Sequence, residues 1–224
     1  LNVPEKHIMC FDPMTGKRGI AKTREVEGKT QVYMQLKSGE SIILQTFTRS
    51  LQGEPEWKYR KEMDYSLSLD HGWKLRFVES YPAIEGEFKI DTPSSWTEIA
   101  HPAAKINRGT ALYSLELDLP DLLADDWILN LGDVRESARV RVNGQEAGVA
   151  WAAPFHLSIG QLLKSGKNLI EVEVTNLPAN SIAEMDRQGK QWRIFEDINM
   201  AKLNYEKGTY GHWETLPSGL NGIV

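Results

Sequence analysis

Arg139-Val140-Arg141-Val142-Asn143-Gly144-Gln145-Glu146-Ala147-Gly148-Val149 is the stretch on which the fold class turns. Charged and apolar residues alternate up to Val142, which in an extended chain gives one buried and one wet face. Asn143-Gly144 then supplies the dipeptide that tolerates positive φ at both centres of a type I′ turn, and the chain returns through Val149. The segment reads as a β-hairpin. The same alternation recurs on either side. Leu115, Leu117 and Leu119 alternate with Ser114, Glu116 and Asp118, and Ile170, Val172 and Val174 with Glu171, Glu173 and Thr175. Nearer the start, 31–36 and 41–47 flank the polar turn Lys37-Ser38-Gly39-Glu40, and a second hairpin is expected there. Helical signals are brief: 119–126, and 159–163 with Ser158 as a cap and Gly166 as a stop. Many short strands without long alternating helices specify an all-β chain, a sandwich or jelly roll.

A length of 224 residues with 41% hydrophobic content supports a buried core in one large or two small domains. The formal net charge of -5 and the lack of a basic block speak against a nucleic-acid partner. Apolar runs such as 149–155 fall far short of the roughly 20 residues a membrane helix needs, so no span is expected. Cys10 is the single cysteine, which rules out an internal disulfide and Cys-rich zinc patterns. Leu1-Asn2-Val3-Pro4 begins the chain without methionine or a basic-then-apolar leader, and an upstream portion or a signal peptide is expected to have been cut away. All seven tryptophans lie from Trp57 onward, and 52–64 is charged, contains Pro55 and lacks alternation. A boundary near residue 65 follows. On this reading 1–65 is a partial β-sandwich, or linking strands from an upstream domain, and 66–224 is the main β domain.

From Gly109 the text runs Gly-Thr-Ala-Leu-Tyr. Leu129-Asn130-Leu131-Gly132-Asp133-Val134-Arg135-Glu136-Ser137-Ala138 follows, then the hairpin and Gly148-Val149-Ala150-Trp151-Ala152-Ala153-Pro154-Phe155. Gly166-Lys167-Asn168-Leu169-Ile170-Glu171-Val172-Glu173-Val174-Thr175-Asn176 comes at the expected interval. This run resembles the sugar-binding domain of glycoside hydrolase family 2, in the version at the carboxyl end of bacterial α-L-rhamnosidase-like (family 106-like) proteins. The closing 216–224 also resembles theirs. The resemblance covers Trp73 onward, is strongest over 109–180, and is weaker over the first 65 residues. It implies a galactose-binding-like jelly roll, a catalytic domain upstream in the same chain, carbohydrate as a partner, and export to the periplasm or cell surface. There are departures. Where such proteins continue Asn-Arg-Leu-Ile-Gly-Asp, this chain has Asn180-Ser181-Ile182-Ala183-Glu184-Met185-Asp186, and Asn107-Arg108 stands where a small or aromatic pair usually precedes the glycine.

A glycosidase needs two carboxylates roughly 5 to 10 Å apart across a sugar, and sequence singles out no such pair among 31 acidic residues. Asp133 and Glu136, beside Arg135 in a loop between strands, are the least ordinary, and a salt-bridged turn is the plainer reading of them. The histidines at 7, 71, 101, 156 and 212 form no metal-ligand spacing. Gly-x-Ser-x-Gly, P-loop and dinucleotide fingerprints are missing. No cofactor is expected beyond structural calcium at Asp118, Asp121, Asp125 and Asp126, which lack EF-hand spacing.

Aromatic side chains carry the remaining signal, because sugars stack apolar C–H faces on Trp or Tyr and give hydroxyls to Asn, Arg and carboxylates. Trp73, Trp96, Trp127 and Phe155 read as core. Trp151, between the hairpin and Pro154, reads equally as packing against an adjoining domain and as a sugar contact. The stretch 187–213 gathers Trp192, Arg193, Tyr205, Tyr210, His212 and Trp213 in what reads as long loops, and either touches sugar or wraps an open sheet edge. The candidate carbohydrate-binding set is therefore Trp151, Trp192, Arg193, Tyr210, Trp213, Arg135 and Glu136. Two readings stay open: a non-catalytic carbohydrate-binding-type accessory module, and a structural β-domain buttressing a catalytic domain. An autonomous hydrolase fits worst, since a catalytic barrel takes about 250 residues with alternating helices.

Overall fold

The computed structural model describes residues 1–224 apart from 2, 4, 62, 64, 122, 123, 194–207, 223 and 224. The chain is all-β and divides into two compact units, Leu1–Tyr65 and Ser66–Val224.

In the first unit β1 (His7–Phe11) is the centre of a three-stranded antiparallel sheet, between β2 (Arg18–Ile20) and β5 (Ile43–Phe47). Strands β3 (Thr23–Val26) and β4 (Lys29–Val32) form a separate hairpin closed by Glu27 and Gly28. The hairpin expected between 31–36 and 41–47 does not form. Lys37 to Glu40 is still a turn, with the Glu40 amide donating to the Lys37 carbonyl at 3.0 Å, but its flanks pair elsewhere. The physical reason is competition. A two-residue turn gives β4 a nearer partner in β3, and β5 gains more by setting Leu44 opposite Cys10 over a small core of Ile8, Cys10 and Ala21.

The second unit is built on a six-stranded antiparallel sheet. It comprises β6 (Trp73–Tyr81), β7 (Glu87–Ile90), β8 (Arg108–Leu119), β11 (Ser137–Val142), β12 (Gln145–Ala150) and β14 (Gly166–Thr175), in the order β12-β11-β14-β8-β6-β7. Against it lie two short pairs, β9 (Ile128–Asn130) with β13 (His156–Ser158), and β10 (Val134–Arg135) with β15 (Gly219–Leu220). The result is a sandwich. Alternate residues Ile170, Val172 and Val174 of β14 and Val140 and Val142 of β11 meet Leu131, Val134, Trp96 and Leu220 in one core. Trp73, Trp96 and Tyr113 are buried there, each contributing about 4–6 kcal/mol of transfer free energy as an upper figure. Trp127 and Phe155 pack half-buried at its margin.

The Asn143-Gly144 hairpin forms, with φ of 52° and 78° at the two turn residues. Ala147 is an extra residue in its return strand, so that Val140 faces Gly148 and Arg141 faces Glu146. The helical expectations need correction. β8 runs through Leu119, no described residue of 119–126 is helical, and Leu122 and Leu123 lie outside the described residues. At 159–163 there is a single 3-10 turn, Gly160–Leu162. Ser158 does not cap it, because its hydroxyl donates to Asp126 at 2.7 Å. A helix the alternation hid, α1 (Ala179–Arg187), follows β14. Its end is a Schellman cap: Lys190 N–H donates to the Met185 carbonyl at 2.8 Å and Gly189 N–H to Asp186 at 3.0 Å, with Gly189 at φ 65°.

The closing segment is threaded tightly. Leu220 N–H donates to the buried Tyr113 hydroxyl at 3.1 Å, and Ser218 N–H donates to Ser95 Oγ at 2.9 Å. Burial pushes the Tyr113 phenol well above its ordinary ionisation range, so it stays neutral. A Cβ on Gly219, at φ 94°, would stand 2.1 Å from the Tyr113 oxygen. Tyr113→Phe is expected to cost about 1–3 kcal/mol, by leaving a buried N–H unmet. Gly219→Ala should cost more, both read as midpoint shifts in urea unfolding followed by near-ultraviolet circular dichroism.

Candidate functional site

The aromatic residues gathered after α1 do come together. Ring centroids of Trp192 and Tyr210 are 5.7 Å apart, and those of Tyr210 and Trp213 are 4.6 Å apart. The Arg193 guanidinium lies over both Trp192, at 4.9 Å, and Tyr210, at 5.4 Å. Three rings and one cation thus make a continuous surface, and Trp213 leaves 39% of itself in solvent.

The last turn of α1 holds this surface in place. Asp186 accepts from Trp192 Nε1 at 2.6 Å through one oxygen and from the Tyr210 amide through the other. Arg187 donates to the Gly211 carbonyl at 2.8 Å and the Trp213 carbonyl at 2.7 Å, and pairs with Glu184 at 3.1 Å. Neighbouring helical side chains therefore clamp the chain on both sides of the rings. The Tyr210 amide and the Trp192 indole hold the Asp186 carboxyl below its usual range. Glu184 is likewise lowered, by Gln188 and then Arg187. Carboxyls shifted this way are poor proton donors near neutrality. Their geometry is that of supports for a stacking surface.

The other candidates lie elsewhere. Arg135 is committed to Asp133, Nε to Oδ1 at 2.8 Å and Nη2 to Oδ2 at 3.0 Å. That pair is exposed and belongs to a turn bound to the closing segment, the Asn221 amide donating to the Asp133 carbonyl at 2.9 Å. It is the salt-bridged turn. Glu136 is exposed, and its backbone N–H donates to the Thr175 carbonyl at 2.9 Å. Trp151 follows β12, whose Ala150 pairs with Ala138, so it stands at the same end of the sheet as Glu136. With 61% of it exposed, Trp151 is no core residue, and no ring contact joins it to the aromatic surface among the described residues. Tyr205 lies outside the described residues.

Asp126 serves structure, its Oδ1 accepting from Trp127 N–H at 2.8 Å and Gly160 N–H at 3.1 Å. Among the described residues no three His, Cys, Asp or Glu side chains converge as a metal site requires. Sequence reading missed Asp186 and Arg187. Asp186 lies in the segment 180–186 that departs from the resemblance, and Arg187 follows it directly; both fall in the last turn of α1.

No family model matches the chain. A solved rhamnosidase from Novosphingobium sp. PP1Y matches all of it, with a TM-score of 0.76 and 25% identity, the chain covering 20% of that protein. A protein of Formosa agariphila assigned as a β-glucuronidase is 28% identical over 195 residues, 79% of this chain and 17% of the relative. The chain thus spans about a fifth of the length of the relatives it matches. It is a glycoside hydrolase-related all-β chain.

The lowered Asp186 carboxyl fixes the sign of an acid response. A depressed folded-state value contributes stability that is present above the ordinary carboxylate range and lost as pH falls through the lowered value. Acidification from pH 5 toward pH 2 should therefore loosen the Trp192–Tyr210 contact, seen as a change in tryptophan fluorescence. Asp186→Asn should show that changed signal already at neutral pH and lose the acid-dependent step.

Proposed function

We propose that the chain is a non-catalytic, carbohydrate-binding-type accessory module at the carboxyl end of a larger, α-L-rhamnosidase-like glycoside hydrolase, exported to the periplasm or cell surface. The observation that carries the reading is the partly exposed Trp192–Tyr210–Trp213 surface, fastened from beneath by Asp186 and Arg187. Rings held at fixed angles offer stacking faces at little entropic cost, and Arg193 beside them offers donors to sugar hydroxyls. The chain-long likeness to a rhamnosidase supports a rhamnosidase-like parent. Under this reading the sugar-binding-type domain is 66–224, and 1–65 completes a β domain that begins upstream. The small core of Ile8, Cys10 and Ala21 favours the latter, being slight for an independent fold.

One observation favours a second reading, a structural β-domain without sugar affinity that buttresses the catalytic domain. Arg193 already covers parts of Trp192 and Tyr210, and the Trp192 indole N–H is spent on Asp186. Titration separates the two readings. Rhamnose, galactose and glucuronic-acid-containing oligosaccharides are added while tryptophan fluorescence and heat are followed. A saturable response to rhamnose or galactose, weakened about tenfold or more in Trp213→Ala, is the expected outcome. Silence across the panel at millimolar sugar would overturn the binding reading in favour of the buttress.

A further inference from the structure

The end of the six-stranded sheet that carries Trp151 and Glu136 also holds an open cleft of about 410 Å³, lined by Glu79, Ser80, Tyr81, Arg108, Asn176 and Pro178, with Gly109 at its base. A bulge sets its geometry. Val78 is an extra residue in β6, after which Glu79 faces Thr110, Ser80 faces Gly109 and Tyr81 faces Arg108. Bulges re-aim the side chains beyond them, and here Tyr81 and Arg108 become directly opposed neighbours. The Arg108 guanidinium lies 4.5 Å from the Tyr81 ring centroid. Tyr81 is 54% exposed, and among the described residues Arg108 has no carboxylate partner. Asn176 fixes the floor. Its Oδ1 accepts from Gly109 N–H at 3.0 Å, and its Nδ2 donates to the Asn107 carbonyl at 3.0 Å and Ser218 Oγ at 3.1 Å.

We propose that this cleft binds a carboxylated sugar, a hexuronate, through the guanidinium of Arg108 and the ring of Tyr81. Arg108 is half-buried, stacked on Tyr81 and without a carboxylate partner among the described residues, and its planar fork matches a carboxylate. A simple inorganic anion would be drawn to Arg108 but repelled by Glu79 on the same wall. A hexuronate answers both groups, giving its carboxylate to Arg108 and donating hydroxyl hydrogens to Glu79. Its apolar ring edge rests on Tyr81. The site lies at the start of α1, whereas the Trp192–Tyr210–Trp213 surface lies at its end, nine residues or about 13 Å along the helix. The two sites are separate, and this one does not depend on the aromatic surface binding anything.

The test is calorimetric titration of the 224-residue chain with glucuronate and galacturonate, with glucose, galactose and inorganic phosphate as controls. Saturable uronate binding, at least about tenfold tighter than the matched neutral sugar and weakened by salt, is expected. Arg108→Met should abolish it, Arg108→Lys should keep a small part, and Tyr81→Ala should weaken it, all with the wild-type thermal midpoint. Trp213→Ala should leave it unchanged, and a loss there with Arg108→Met silent would assign the uronate to the other surface and overturn the proposal. Equal affinity for glucose and glucuronate, binding of phosphate alone, or no heat at tens of millimolar uronate would also overturn it.

Discussion

The carboxamide of Asn176 is the joint on which the Tyr81–Arg108 end of the sheet depends. Within one side chain it binds Gly109 N–H, the Asn107 carbonyl and Ser218 Oγ, and so ties the start of β8 and the closing segment to the end of β14. Each is a backbone or hydroxyl partner in a part-buried position, where an unmade hydrogen bond costs more than a made one returns. The cleft beside Tyr81 and the exit into α1 lie directly on this joint. Asn180 repeats the device one turn later, bonding both the N–H and the carbonyl of Leu216 at 2.8 Å. Closing a sandwich with a terminal segment requires such side chains, because a two-residue strand like β15 has too few ladder bonds to hold itself.

Energetic weight is spread unevenly between the core and the aromatic surface. Tyr113, Trp73 and Trp96 are buried, and their contribution does not respond to salt or moderate pH. The ring surface after α1 relies instead on charge-assisted hydrogen bonds from Asp186 and Arg187, and on ring contacts worth about 0.5–1.5 kcal/mol apiece. Its order is therefore more easily disturbed than that of the core. The exposed Arg135–Asp133 pair contributes least, about 1 kcal/mol at most, although it was the most conspicuous charged cluster in the sequence.

Legibility followed periodicity. The strands around Leu115, Val140 and Val172 could be read because one face of each is buried, and burial writes an alternating pattern. The Asn143-Gly144 turn was equally plain, since few dipeptides hold two positive φ values. By contrast, alternation alone pairs β4 with β5, whereas their partners are β3 and β1. Alternation says that a segment is a strand but not which strand lies beside it. Helix α1 went unseen because nine residues give too few turns for a helical period to stand out.

The sequence by itself determined the all-β class, the central hairpin and the aromatic residues that stack after α1, because these rest on local pattern and residue chemistry. Only the tertiary structure decided that Trp151 is exposed, that Arg135 is bound to Asp133, and that Asp186 and Arg187 support the rings. It alone paired Tyr81 with Arg108, whose departure from the family pattern had been visible without its meaning. The reason is physical. Residues far apart in the chain become neighbours through strand register, and a single bulge at Val78 sets that register where no periodic signal marks it.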